Sequence, residues 1–237
     1  MGDSLFMDEK SLSIAFGDSL KEKSIACISD FAEVGLDAIM DDGILKDVPI
    51  LSTAISLYKI GSSIKERHNM KKLVMFLDQI NHEIADEQQR IEYQQKFQSD
   101  EKFRNEQIEY LLVLIDRYTD YDKPKWLAKL FLAYLSDEII WEELLMYAEV
   151  IDRFLLLDCR TLISADGTVT VHRNIGGESV SRLVSLGLMA EKPDISTFAK
   201  DENGEFHPTW STIYKPQSFD KIYVRTEFGD KLAEILK

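Results

Sequence analysis

The sequence predicts a mainly α-helical chain: a helical bundle over residues 1–158, then a small α+β domain over residues 159–237. Three observations predict it. Apolar residues recur at three- and four-residue spacing as far as Leu157, the period of helices that each bury one face. At Asp158 that grammar stops. β-branched residues, glycines and turn signals then arrive together in Ile163, Asp166-Gly167, Val169 to Val171 and Gly176-Gly177. Finally, 237 residues is long for one domain and comfortable for two.

Residues 11–40 read as helix, with Ile28, Phe31, Ala32, Gly35, Leu36 and Ile39 in register and Asp41-Asp42-Gly43 as the break. Residues 44–64 form the most apolar stretch, expected to be a helix. Its uncharged part, 48–58, holds Leu51 and Ile55, with Pro49 well placed at a helix start and Lys59 interrupting. That part is about half of the roughly 20 residues a membrane span requires. A basic cluster follows at once: Lys65, Arg67, His68, Lys71 and Lys72.

Residues 71–107 read as one long helix or two in line. Leu73, Phe76, Leu77, Ile80 and Ile84 make an apolar stripe, after which only Ile91, Phe97 and Phe103 stand among many Gln, Glu and Lys. So polar a helix is expected to be solvated or to project toward a partner. Three helices with short joints follow: 108–118, 125–135 and 140–157. The first carries Ile108, Leu111, Leu112, Ile115 and Tyr118, the second Trp126, Leu127, Leu130, Phe131 and Tyr134. The third carries Trp141, Leu144, Leu145, Ala148, Ile151 and Leu155. Their spacing and short joints predict an antiparallel bundle holding the main core.

In the second domain, residues 178–186 read as a short helix with Gly187 as a left-handed cap. Strands are expected over 195–200 and 205–214, joined through Asn203-Gly204, a hairpin signal. A strand over 221–224 and a closing helix to Leu236, capped by Thr226, complete it.

Two runs in this domain, RLVSLGLM from Arg182 and YVRTEFGDKL from Tyr223, resemble the LxxLGL, hairpin, LTxxGxxL grammar of winged-helix domains. The resemblance covers about a third of the chain. It implies binding of DNA, RNA or protein without choosing among them. In the family's DNA mode the helix bearing Ser179, Ser181 and Arg182 would enter the groove, and the hairpin tip would be the wing. Phosphate contact needs several basic side chains. That helix offers Arg182, and the wing tip carries Asp201, Glu202 and Glu205, so nucleic acid is not the expected partner. The layout of an apolar N-terminal helix, a helical middle and a winged-helix-like tail also resembles some bacterial abortive-infection and phage-defence proteins.

Charge agrees. The net charge of −14 disfavours non-specific contact with nucleic acid or anionic lipid over the surface as a whole. Residues 159–237 hold ten Lys and Arg against eleven Asp and Glu, so nearly all of the excess lies in the helical part. Cys27 and Cys159 are far apart in apolar surroundings and read as reduced, buried thiols. Residues 1–10 carry Asp3, Asp8 and Glu9 without an apolar core, so no signal peptide is read there and the cytoplasm is the expected compartment.

Catalytic and metal motifs are weak. His82-Glu83-Ile84-Ala85-Asp86 is similar to the HExxH zinc motif, but Asp86 replaces its second histidine. The acids Asp137, Glu138, Glu142, Glu143, Glu149 and Asp152 read as solvated charge rather than as a catalytic pair. Asp116, Asp120 and Asp122 lack the spacing and glycine of a calcium loop. His172 and His207 have no nucleophile in a recognisable context. The expectation is therefore a non-enzymatic interaction or effector protein with no cofactor and no metal, whose partner is another protein or a second copy. Two alternatives compete. One is a membrane-surface effector acting through residues 44–72, with Leu51, Ile55, Lys59, Lys65, Arg67, Lys71 and Lys72 as its contacts. The other is a DNA-binding regulator acting through Ser179, Ser181 and Arg182.

Overall fold

A computed structural model describes residues 14–16, 18–19, 52–53, 64–84, 87–99, 101–164, 168–171, 177–192, 198–200, 206–208 and 221–237. The helices expected over 11–40 and 44–64 fall mostly outside these residues, as do Cys27, Leu51, Ile55 and Lys59. Described residues 14–16, 18–19 and 52–53 are helical. The chain divides into two compact units, Met1–Arg153 and Phe154–Lys237. Asp158, where the composition changes, lies inside a helix of the second unit.

The first unit is built from α1 (Ile64–Glu83), α2 (Glu87–Gln98), α3 (Glu101–Arg117), α4 (Asp122–Leu135) and α5 (Trp141–Arg153). The run over 71–107, expected as one helix or two in line, is instead parts of three. α1 begins at Ile64, one residue before the basic cluster, Ile84 and Ser99 lie outside the helices, and Ser99 turns back onto the Lys96 carbonyl. α1 packs against α4 and α3, α2 packs against α3 and α4, and α4 packs against α5. The α1 stripe of Leu73, Phe76, Leu77 and Ile80, with Ile84 just beyond it, is buried, as the spacing requires. Phe76 and Phe131 meet Phe16 and Phe97 in one aromatic cluster, with ring centroids 5.3 to 6.2 Å apart. Offset and edge-on pairs at that range are favourable beyond simple burial. Phe97 is therefore the anchor that seats α2, a helix whose composition alone reads as solvated.

The second unit runs α6 (Leu156–Ser164), β1 (Thr168–Val171), α7 (Gly177–Ser185), β2 (Met189–Glu191), β3 (Phe198–Lys200), β4 (Phe206–Pro208), β5 (Lys221–Arg225) and α8 (Glu227–Leu236). β1, β5 and β2 form an antiparallel sheet in that order, and β3 pairs antiparallel with β4. α6 packs against α7 and α8. Gly187 has a φ of 75°, and the amides of Gly187 and Leu188 bond back to the carbonyls of Val184 and Leu183, the paired bonds of a left-handed helix end. Thr226 caps α8 by accepting from the Gly229 amide at 3.0 Å. Gly229 is required for another reason. A Cβ there would lie 2.0 Å from the Leu188 carbonyl oxygen, so the first turn of α8 is pressed directly on the backbone leading into β2.

Among the described residues, four helix C-termini are closed by a cation from another element. A helix ends in carbonyls without intrahelical partners and a partial negative charge, both of which favour a cation. Lys72 of α1 reaches the end of α3, donating to the carbonyls of Asp116 and Tyr118 at 2.8 Å each. Lys96 of α2 donates to Tyr134 near the end of α4 at 3.1 Å. Lys123 of α4 donates to Asp152 in the last turn of α5 at 2.8 Å. In the second unit, Arg225 of β5 donates to Leu162 in the last turn of α6 at 3.1 Å.

Candidate functional site

The basic end of α1 is the first place to examine. Lys72 is fully buried, so the expectation that it lies in a solvated or headgroup-facing cluster is corrected. Its position on the inner side of α1 aims the ammonium at the end of α3. Burial lowers its pKa, and Asp116 opposes that shift. Neighbouring side chains grip residues 116–121 too. Lys65 lies 3.5 Å from the Asp116 carboxylate, to which Asn69 also donates. His68 is 2.8 Å from the Tyr121 hydroxyl, and Lys71 sits 4.5 Å above the Tyr121 ring. Arg67 lies half-buried in the same two turns. The segment that reads as a basic patch is therefore largely a clamp on the α3–α4 connection.

A second polar centre lies inside the second unit. Asp158 is fully buried at the start of α6 and accepts from Arg182 Nε and Nη2, from Ser179 Oγ at 2.7 Å and from the Leu155 amide at 3.0 Å. Burial would raise the Asp158 carboxyl. The bonds from Arg182, Ser179 and Leu155, with the Arg182 charge, outweigh it and hold the group below the usual carboxylate range. Of the three residues expected to face a groove, Ser179 and Arg182 are thus turned onto Asp158, and Ser181 is exposed. Asp158 is the missed partner. It reads in sequence as a boundary residue, and only its place at the head of α6 puts it across from α7.

The HExxH-like segment comes apart. His82 Nδ1 lies 3.8 Å from the Asp78 carboxylate, Glu83 pairs with Lys129 at 3.2 Å, and Asp86 lies outside the described residues. Among the described residues, no group of three or more His, Cys, Asp and Glu is placed to hold a metal. Glu149 and Asp152 both pair with Arg117. Cys159 is buried.

A third feature is apolar. Leu155, Leu156 and Leu157 are exposed at 52%, 37% and 60%, while Phe154, Asp158 and Cys159 on either side are buried. The helix expected over 140–157 ends at Arg153, and this ending turns Leu155 from an expected core residue into a surface one. Its signal was in the sequence. Four apolar residues in a row, Phe154 to Leu157, do not fit one helical face. No helix among the described residues is long and apolar enough to cross a membrane.

No family model, no curated protein and no solved structure matches this chain.

Proposed function

We propose that this is a protein-interaction protein, an adaptor or effector without chemistry of its own, and that Leu155, Leu156 and Leu157 anchor its partner. The exposed leucine run carries the reading. Three consecutive exposed apolar residues disfavour a free surface and are retained where something binds them. The buried Phe154, Asp158 and Cys159 hold the run in place, so a partner would meet a preordered anchor. The charged side chains at both polar centres already bond within their own units, which leaves the leucines as the better candidates for recognition. The partner is another protein chain or a second copy of this one.

The finer reading of the second unit as winged-helix-like belongs with this proposal. Its support is the antiparallel sheet, the left-handed Gly187, the Thr226 cap and the close approach at Gly229. With Ser179 and Arg182 held by Asp158, a protein-binding use of that unit is better supported than the DNA mode.

The test compares wild type with Leu155→Asp/Leu157→Asp. Light scattering gives the mass in solution, and quantitative affinity capture followed by reconstitution with the purified candidate identifies a partner. The expected result is loss of self-association or of the reconstituted complex, with circular dichroism unchanged. A folded double variant that keeps every association of the wild type refutes the proposal.

A further inference from the structure

The basic end of α1 combines a clamp with an unusual exposure. Ile64, the first residue of α1, is 82% exposed, and the Lys65 side chain beside it is 76% exposed. An exposed branched apolar residue next to lysines is the composition of a contact with a lipid interface, where the apolar group enters and the ammonium reaches headgroups. We propose that this end of α1 is a binding site for an anionic lipid surface, held closed by Asp116 and Tyr121.

The contacts divide into two kinds. Lys72 is buried on two carbonyls and stays where it is. Lys65 and Lys71 are held by an exposed ion pair and by an aromatic ring. Such contacts are weak in water and are exchanged readily for other anions. Lys72 thus keeps α1 seated while Lys65 and Lys71 change partners. Asp116 closes the site in two ways. It holds Lys65, and its own charge stands where a lipid phosphate would come. Both effects act in the same direction, so neutralising this one side chain opens the site. Each lysine engaged at an anionic surface contributes about a fivefold gain in affinity.

The experiment is co-sedimentation of the full chain with phosphatidylserine-rich vesicles, with pure phosphatidylcholine vesicles as control, at low and high salt. Asp116→Asn keeps the shape of the side chain and an acceptor for Asn69. It is expected to bind the anionic vesicles about fivefold more tightly than wild type, to lose that gain in high salt, and to ignore phosphatidylcholine. Adding Lys65→Glu to Asp116→Asn returns binding to the wild-type level or below. Tyr121→Ala, which frees Lys71, gives a second opening variant should Asp116→Asn fail to fold. The proposal is overturned if the folded opening variant binds anionic vesicles no better than wild type, if it binds both vesicle types equally, or if Lys65→Glu leaves the gain intact. Abolition of binding by inorganic phosphate at ionic strength matched with chloride assigns the site to free phosphate and likewise overturns it.

Discussion

Replacing Gly229 with alanine puts a methyl carbon 2.0 Å from the Leu188 oxygen, 2.9 Å from its carbonyl carbon and 3.1 Å from its Cα. All three neighbours are backbone, so no side chain can rotate away. Leu188 cannot retreat easily. Its amide bonds to Leu183 and its carbonyl accepts from Thr226, while Thr226 Oγ1 donates to the Gly187 carbonyl at 2.7 Å. Relief requires the first turn of α8 to move off the strand. That disturbs the Thr226 cap, worth about 1 kcal/mol, and the bond to Leu188, worth about 1 kcal/mol. Added to overpacking of about 1–3 kcal/mol, the expected loss is about 3–5 kcal/mol. Two other glycines serve as controls. At Gly187 no atom lies within 4 Å of an added Cβ, so alanine meets only the left-handed backbone, about 1–2 kcal/mol. At Gly177 the nearest atom is Val171 Cγ1 at 3.2 Å, the end of a side chain, and alanine is a better helix former, so the change is near neutral. Urea denaturation followed by circular dichroism, with hydrogen exchange of the α8 amides, reads the series. The reasoning fails if Gly229→Ala is no more damaging than Gly187→Ala.

Two further predictions concern the buried charges. Lys72→Met keeps the stem of the side chain and leaves the carbonyls of Asp116 and Tyr118 without their donor. The first unit is expected to lose about 2 kcal/mol in urea denaturation, the penalty for stranding a buried acceptor. Because burial lowers the Lys72 pKa, the folded protein releases this proton before the unfolded chain does. The wild type therefore gains stability relative to Lys72→Met as pH rises toward about 10.4, and a gap that shrinks there would contradict the assignment. Asp158→Asn removes the charge that Arg182 and Ser179 meet. A loss of about 2 kcal/mol in the second unit is expected, less than for a wholly dry pair because water reaches Arg182. The Asp158 carboxyl is held low in the fold, so its contribution is complete above about pH 4 and disappears as pH falls through the folded value. Acid titration of stability is expected to be shallower in Asp158→Asn, and identical acid profiles would count against the assignment.

Local signals in this chain were legible where they depend on near neighbours. Leu73, Phe76, Leu77, Ile80 and Ile84 form a buried stripe because a helix repeats every 3.6 residues, whatever packs against it. Gly187 and Thr226 could be read as caps because capping is settled within four residues. The failures share a cause. α2 reads as mostly solvated, and only Arg90 and Phe97 of its residues are buried, but one Phe97 among glutamines gives almost no periodic signal, and its ring meets two aromatic neighbours, Phe16 and Phe131, supplied by other elements. The run over 71–107, read as one helix or two in line, is divided among three helices. Arg182 reads as the lone phosphate contact of its helix until Asp158, 24 residues away, is brought beneath it.

The least legible feature is the set of cations on helix ends, and it changes how the charge of this protein should be interpreted. An ion pair leaves a trace in sequence because it needs an acid at a compatible position. Lys72, Lys96, Lys123 and Arg225 each donate to a backbone carbonyl, which every residue supplies, so the carbonyl leaves no mark in the sequence even where an acid also pairs, as Asp137 does with Lys96 and Asp230 with Arg225. Lys123 makes the point most sharply. It lies in the first turn of its own helix, where the dipole disfavours a cation, and its position is explained only by the end of α5. In a chain with 28 basic and 42 acidic residues, several of the cations are thus committed to backbone carbonyls inside the fold. A basic run in such a chain is weak evidence for a recognition surface until its lysines have been placed. An exposed run of leucines is stronger evidence, because leaving adjacent apolar side chains in water is unfavourable.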